Sequence, residues 1–246
     1  MLNSNQTRVY EDFSYSTQEN NEIIIRRYNG SASEPVIPTM IENHPVTVLG
    51  KNSFLATSVE VINIPEGITT IEQNAFAACD NLKEVKLPCS LTTIGRGVFQ
   101  GSEALEKITV SYESEYFWEL EGILYDRIER RVVFCPPALN LEKVIIPSGT
   151  LTIADSAFYA NSNLKYVSLP QTLRRIEHGA FLFTSSLPFI ELPPYLKEIE
   201  QNAFLLGTGP FSEKRFEIYA FPETLGYQYA IENKIPVHPL YGIVTD

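Results

Sequence analysis

The stretch SLPQTLRRIEHGAF at residues 168–181 decides the fold, because it recurs along the chain at a fixed interval. Related copies are INIPEGITTIEQNAF from Ile62, KLPCSLTTIGRGVF from Lys86, IIPSGTLTIADSAF from Ile145 and ELPPYLKEIEQNAF from Glu191. Within each run the closing phenylalanines are 23 residues apart, and they are Phe76, Phe99, Phe158, Phe181 and Phe204. A fixed period of this length predicts a solenoid, in which each repeat packs mainly on its neighbours.

One repeat shows how the stack buries its apolar side chains. In LKEVKLP at residues 82–88, Val85 and Leu87 alternate with Glu84 and Lys86, so a strand points the first pair inward and the second pair outward. Proline then ends the strand, because it has no N–H to donate. Like positions of successive repeats lie about 4.8 Å apart. We therefore predict that the closing phenylalanines form a structural ladder rather than a ligand-stacking surface.

The pattern divides the chain into successive segments of one predicted domain, residues 1–246. A degenerate first repeat ends at Phe54, and two strand-like runs, GILY and RVVF, interrupt the period between Phe99 and Phe158. The predicted segments are a lead-in at 1–35, a first repeat block at 36–110, an inserted β-hairpin at 111–141, a second repeat block at 142–208 and a C-terminal cap at 209–246.

Both ends of the chain depart from the repeat. Residues 1–20 are polar and are predicted to be frayed at their start, and residues 21–30 are predicted to form a strand. Near the C-terminus, PETLGYQYAIENK predicts a short amphipathic helix with Leu225, Tyr229 and Ile231 on its apolar side, followed by a strand in IPVHPL. Atypical ends are expected, since an open solenoid must cover its last apolar face.

Composition narrows the class of partner. The chain has 19 basic and 30 acidic residues, for a formal net charge of −11. This excess of acidic residues argues against a nucleic-acid partner, whose phosphates require clusters of Lys and Arg.

No apolar stretch is long enough to span a membrane. The first 13 residues contain no apolar signal core, which indicates either a protein that is not exported or a leader that has been removed.

The repeats resemble the BspA-type leucine-rich repeat family. The resemblance rests on Leu-x-x-Val-x-Ile/Leu-Pro, then Leu/Ile-x-x-Ile, then Ala-Phe, and on the lead-in FSYSTQENNEIIIRRYNG, the inserted GILYD and the cap YQYAIENKIPV. It implies a right-handed, curved leucine-rich-repeat solenoid, mostly β with short helical turns, with a parallel sheet on its concave side. It also implies a bacterial or protist surface protein that binds other proteins or host matrix. The alternative location is the cytoplasm.

No catalytic, cofactor or metal site is predicted. The three histidines, His44, His178 and His238, fall in separate segments and lack the spacing of a metal site. Glu198 and Glu200 lie in a repeat turn, where solvated charge is a simpler interpretation than a glycosidase pair. Three cysteines, Cys79, Cys89 and Cys135, cannot form a full disulfide framework.

The predicted binding surface is the outward side of the concave sheet. Aligned strands place Ile145, Tyr166 and Phe189 close together beside Lys143, a combination that suits a protein partner. The alternative, that these are ordinary exposed strand residues or are covered by the hairpin, remains open. One row contains Val61, Glu84, Lys107, Lys143, Tyr166 and Phe189, and its neighbour contains Asn63, Lys86, Thr109, Ile145, Ser168 and Glu191.

A second predicted location for binding is the hairpin. Phe117, Trp118 and Tyr125 are concentrated there, although sealing the gap made by the insertion is the favoured interpretation.

Three functions follow from the sequence. The first is a non-enzymatic, monomeric module that binds a protein or glycan, the second a structural spacer without its own ligand, and the third, remote, a hydrolase.

Overall fold

A computed structural model describes residues 7–204 and 216–241 of the 246-residue chain. Its contacts divide the chain into two compact units, each of which is described by itself. Unit 1 comprises Met1–Ile128 and Pro136–Leu139, and unit 2 comprises Glu129–Cys135 and Asn140–Asp246. The single domain stays a prediction, and the predicted boundary between residues 208 and 209 lies outside the described residues.

Unit 1 is built from short strands stacked in two sheets, with an added hairpin. Its described strands are β1 (Arg8–Tyr10), β2 (Phe13–Thr17), β3 (Ile23–Tyr28), β4 (Met40–Ile41), β5 (His44–Leu49), β6 (Val61–Asn63), β7 (Thr70–Ile71), β8 (Glu84–Leu87), β9 (Thr93–Ile94), β10 (Lys107–Val110), β11 (Phe117–Leu120) and β12 (Ile123–Asp126), and a 3-10 helix covers Pro137–Leu139. One sheet has the order β1-β2-β3-β5-β7-β9, with β4 beside β5, and the other has the order β10-β8-β6. From β3 onward the repeat strands pair in parallel.

Unit 2 repeats the same plan. Its described elements are β13 (Arg131–Phe134), β14 (Lys143–Ile145), β15 (Thr152–Ile153), β16 (Tyr166–Ser168), β17 (Arg175–Ile176), β18 (Phe189–Glu191), β19 (Glu198–Ile199), β20 (Glu217–Ala220), α1 (Leu225–Glu232) and β21 (Val237–Pro239). On one side β13, β15, β17 and β19 pair in parallel, and on the other β14 pairs with β16 and β18-β20-β21 form a parallel sheet. Both units are therefore β-solenoid stacks, as predicted.

The inward and outward alternation of the repeat strand is confirmed in β8. Val85 and Leu87 are buried, whereas Lys86 is exposed and Glu84 is half-buried. The parallel register aligns Val85 with the central isoleucines of β6 and β10, which are also buried. Each repeat thus adds one layer to a continuous apolar column.

The closing phenylalanines form the predicted ladder in each unit. All are buried, with at most 5% of each side chain exposed. The separation between neighbouring rings is close to the strand spacing of about 4.8 Å, as expected when one ring is contributed per repeat. Successive ring centroids lie 5.0 and 5.9 Å apart along Phe54, Phe76 and Phe99, and 5.1 and 5.3 Å apart along Phe158, Phe181 and Phe204.

A small polar side chain follows three residues after the closing phenylalanine and satisfies buried backbone carbonyls. The hydroxyls of Thr57, Ser102 and Thr184 donate to such carbonyls over 2.8, 2.7 and 2.8 Å. Cys79 occupies this position in its repeat, and its thiol donates to the Phe54 carbonyl over 3.1 Å. A buried carbonyl without a partner would cost free energy, so these side chains hold the turn between repeats in place.

The residue two positions before each closing phenylalanine adopts a left-handed backbone conformation. Asn and Gly tolerate positive φ better than other residues, which explains their frequency at this position. The φ angles lie between 57° and 61° at Asn52, Asn74, Gly97, Ser156, Gly179 and Asn202.

The start of the chain, where fraying is predicted, lies outside the described residues, and residues 8–17 contain two strands. Strands β1 and β2 form an antiparallel hairpin that continues into β3. Phe13 and Tyr15 are buried, and the Phe13 ring centroid lies 5.2 Å from that of Tyr28, which in turn lies 5.3 Å from Phe54. These residues cover the first ring of the ladder, so burial at the end of the stack orders a polar segment.

The inserted segment contains one strand more than predicted. The runs GILY and RVVF correspond to β12 and β13, as expected, but Phe117–Leu120 is also a strand. Strands β11 and β12 pair antiparallel around Glu121 and Gly122, whose φ angles are 52° and 82°. Two positive φ values are typical of the tight hairpin turns that match strand twist.

The C-terminal helix packs through Tyr229, as predicted, with Leu225 half-buried, but not through Ile231. Thr224 caps α1 by accepting a hydrogen bond from the Tyr227 backbone N–H. Gly226 and Tyr229 are buried, whereas Ile231 is 59% exposed, so the prediction of Ile231 on the apolar side is wrong. The buried residues of α1 lie three or four positions apart, as residues on one face of a helix do, and Ile231 lies outside that face.

Candidate binding face

The outward side of the β6-β8-β10 sheet in unit 1 is polar. Lys107 Nζ lies 3.2 Å from Glu84 Oε1, and Lys86 Nζ lies 4.0 Å from the same oxygen. The carboxylate is therefore compensated within the sheet. The pairing register places Val61, Glu84 and Lys107 in one row and Asn63, Lys86 and Thr109 in the next, as the sequence alignment predicted.

The corresponding side in unit 2 combines apolar and aromatic side chains with polar ones. Strands β14 and β16 place Lys143 opposite Tyr166 and Ile145 opposite Ser168. Ile145 is 59% exposed and Tyr166 is 36% exposed. Lys143 Nζ lies 5.4 Å from the Tyr166 ring centroid, within the range of a cation–π interaction. Phe189, on β18, is half-buried, with its ring centroid 6.5 Å from that of Tyr166.

Two further aromatic side chains extend this surface. The Phe189 ring centroid lies 5.4 Å from that of Tyr219, and the Tyr219 ring stacks on His238 at 4.7 Å. Tyr166, Phe189, Tyr219 and His238 together are called the aromatic row. Glu191 lies opposite Tyr219 in the strand register and is exposed.

Sequence reasoning missed Tyr219 and His238 as members of this surface. Strands β20 and β21 lack the Leu-Pro and Ala-Phe positions that identify the repeats. The available signal was the alternation in FEIYAF at residues 216–221, where Ile218 and Ala220 are buried and Tyr219 points the other way. His238 Nε2 also lies 3.0 Å from Glu217 Oε2 on the neighbouring strand.

The acidic pair considered as a catalytic candidate is held by an arginine. Arg175 Nε lies 2.9 Å from Glu198 Oε2, and an Arg175 terminal nitrogen lies 3.3 Å from Glu200 Oε1. The other Glu200 oxygen accepts the His178 backbone N–H over 3.1 Å. Both carboxylates therefore have structural partners that tie adjacent repeats together. Within the described ranges, no three His, Cys, Asp or Glu side chains are arranged to hold a metal ion.

The three cysteines are free and are poor nucleophiles. Burial raises the pKa of the Cys79 and Cys135 thiols, because the thiolate would lose its hydration. Cys89 is half-buried, and its thiol donates to Glu66 over 3.3 Å. That hydrogen bond is the main cause that raises the pKa of the Cys89 thiol. A reactive cysteine requires a lowered pKa, which is the opposite of what these environments produce.

Two of the three aromatic side chains of the hairpin, Trp118 and Tyr125, pack against each other. Phe117 and Tyr125 are buried, and the ring centroids of Trp118 and Tyr125 lie 4.9 Å apart. The Arg127 guanidinium covers the Trp118 ring at 5.5 Å from its centroid. These aromatic surfaces are therefore already occupied, whereas Leu120 and Ile128 of the same segment are 38% and 67% exposed.

Comparisons with known proteins support the fold. The chain is similar to a leucine-rich repeat protein from Eubacterium ventriosum, with a TM-score of 0.54 and 17% identity over 88% of this chain and 72% of that one. It is also similar to a leucine rich cell surface protein from Faecalibacterium prausnitzii, with a TM-score of 0.51 and 15% identity over 98% of this chain and 96% of that one. No curated protein matches the sequence.

Two further findings concern membranes and the family. No helix in residues 7–204 and 216–241 is both long and apolar enough to cross a bilayer. The family model described as BspA type leucine rich repeat region matches six copies, over residues 37–119 and 132–221. These matches cover well over half of the sequence and coincide with the repeats described above. The chain belongs to the BspA-type leucine-rich repeat family.

Proposed function

We propose that this protein is a non-enzymatic binding module that holds a protein partner on the aromatic row of unit 2. The observation that carries the proposal is the row of Tyr166, Phe189, Tyr219 and His238, flanked by the exposed side chain of Ile145. Aromatic side chains supply a large contact area at low cost in conformational entropy and are enriched at the centres of protein interfaces.

The contrast between the two units supports binding over a purely structural role. A spacer needs only a solvated outer face, which is what the charged row of unit 1 provides. The face of unit 2 instead keeps Ile145 59% exposed and Tyr166 36% exposed in adjacent strands. Contiguous exposed apolar groups on a stable fold are typical of interaction sites.

A hydrolase has less support. The acidic pair of Glu198 and Glu200 is engaged by Arg175, and all three thiols have raised pKa values. Leucine-rich repeat solenoids of this family are typically non-enzymatic. We further propose that the protein acts at a bacterial cell surface, because the relative from Faecalibacterium prausnitzii is described as a cell surface protein.

The test is capture of purified extracellular matrix proteins on the immobilised full-length chain. The site variant is Tyr166→Ala/Phe189→Ala. The matched control is Tyr112→Ala/Phe183→Ala, which removes one tyrosine and one phenylalanine that are 93% and 43% exposed and lie outside the aromatic row. Circular dichroism verifies that both variants are folded. A hot-spot aromatic contributes more than about 1 kcal/mol, so the site variant should weaken capture by at least about tenfold.

Capture that is lost in the site variant and kept in the control would support the proposal. Equal capture by both variants would contradict the location. The chain is also tested on a glycan array, and binding to glycans without capture of any protein would contradict the proposed class of partner. No capture of either class would favour the spacer.

A further inference from the structure

A cleft of about 250 Å³ lies beside the aromatic row in unit 2. It lies where strands β16 and β18 end, next to the segments that follow β20 and β21. Its walls combine aromatic rings with a few polar groups, a composition typical of specific binding sites. The lining residues that matter chemically are Tyr166, Ser168, Gln171, Glu191, Phe221 and Tyr241.

Among the described residues that line the cleft, Glu191 is the one charged group. It is exposed, and within the described parts of the chain no cationic side chain lies within 4.0 Å of its carboxylate. Lys143 on β14, two strands away along the face, interacts with the Tyr166 ring and does not line the cleft. The carboxylate of Glu191 is thus available to a ligand.

Aromatic rings around an uncompensated carboxylate favour a cation. A guanidinium or ammonium group donates a charge-assisted hydrogen bond to the carboxylate and is attracted electrostatically to the ring faces. Unit 2 already contains two such contacts, with Lys143 over Tyr166 and Arg174 over Tyr195, both 5.4 Å from the ring centroid. The formal net charge of −11 also favours a basic partner over an acidic one.

We propose that this cleft receives a single arginine or lysine side chain from the protein partner. The inference rests on the proposed binding function of unit 2 and specifies the chemistry of the partner. The volume of about 250 Å³ is below the roughly 300–1,000 Å³ of sites for drug-sized ligands, so it suits one side chain rather than several sugar rings. Glu191 binds the cationic head, and Tyr166 and Tyr241 flank its aliphatic stem.

The test is a titration of the full chain with a capped Gly-Arg-Gly tripeptide, followed by amide NMR shifts. Its matched ligand is the same peptide with citrulline, a neutral isostere of arginine. Shifts from the arginine peptide should saturate and should concentrate at residues 168–171 and 191–193. The citrulline peptide should bind at least about tenfold more weakly, and Glu191→Gln should weaken the arginine peptide by a similar factor.

The control variant is Glu103→Gln, which removes the same charge from an exposed position in unit 1. Unchanged affinity in this variant would support a local site. An equal loss in Glu103→Gln, or equal binding of the two peptides, would overturn the inference in favour of non-specific attraction to an acidic protein. Shifts of the same residues by N-acetylglucosamine or galactose, without a response to the arginine peptide, would also overturn it.

Failure of this inference can be separated from failure of the proposed function. Glu191→Gln is therefore included in the capture assay beside Tyr166→Ala/Phe189→Ala. Capture that is lost only in the aromatic variant would keep the binding function and reject the cationic anchor. Loss in both variants, together with binding of the arginine peptide, would support both proposals.

Discussion

Phe181 lies in the middle of the phenylalanine ladder of unit 2. Its replacement by alanine is therefore the most direct test of the fold. Its side chain is fully buried between Phe158 and Phe204, with ring centroids at 5.1 and 5.3 Å and interplanar angles of 1° and 7°. Truncating a buried phenylalanine to alanine costs about 3–5 kcal/mol. We expect a value near the upper end, because two ring contacts are lost and rigid repeats on both sides limit collapse of the cavity.

Urea denaturation followed by far-UV circular dichroism measures this change as a fall in the free energy of unfolding. For a chain of this size the melting temperature falls by about 2–4 °C for each kcal/mol, so Phe181→Ala should lower Tm by about 6–20 °C. The matched control is Phe183→Ala, two residues along, because Phe183 is 43% exposed and its ring forms a T-shaped pair with Tyr159. The control should change the free energy of unfolding by less than about 1 kcal/mol.

The reasoning would be refuted if Phe181→Ala lost less than about 1 kcal/mol, or if both variants lost the same amount. Either result would mean that the ladder contributes little to stability. Phe181→Leu provides a further check, since it keeps most of the buried volume and should lose less than the alanine variant.

Two further predictions concern the cysteines and Glu66. At mildly alkaline pH iodoacetamide should modify the native chain at Cys89 alone, because Cys79 and Cys135 are buried. The reaction should be slow, because the pKa of each of the three thiols is raised. Mass spectrometry that showed three adducts before unfolding would contradict this prediction. Burial of Glu66 opposes ionisation, but the backbone N–H groups of Cys89 and Ser90 lower the pKa of its carboxyl below the usual 4.5. Stability from a lowered pKa is present above the unfolded-state value and is lost as the pH falls through the folded-state value. Glu66→Gln should therefore lower Tm at neutral pH and have little effect in strong acid, and an equal effect at both pH values in thermal melts would exclude the ionic interaction.

The repeated part of the fold was predictable because its rules are local. The alternation of Val85 and Leu87 with Glu84 and Lys86 gives the face of each residue, and the period gives its partner in the next strand. Register followed for the same reason, since copies of one motif stack position on position. The left-handed residue before each Ala-Phe is also a local property, visible as Asn, Gly or Ser.

The structure of the two ends and of the insertion was harder to predict, because it depends on burial against the stack rather than on a repeated motif. Strand β2 is polar in composition, yet Phe13 and Tyr15 are buried at the first ring of the ladder. Ile231 fits a helical apolar pattern but is exposed, because the packed face of α1 is set by Tyr229 and by the close approach of Gly226 to Leu192. A Cβ at Gly226 would come within 2.9 Å of a Leu192 methyl group, a constraint that lies outside the helix itself.

The sequence by itself determined the solenoid stack, the buried ladder and the rows of side chains that face outward. Each of these depends on spacing within one repeat and on the repetition of that spacing. Only the tertiary structure added Tyr219 and His238 to the aromatic row and brought Glu191 beside Phe221 and Tyr241 in one cleft. Those residues come from strands without the repeat motif, and their proximity depends on how the cap packs against the last repeats, which no local pattern encodes.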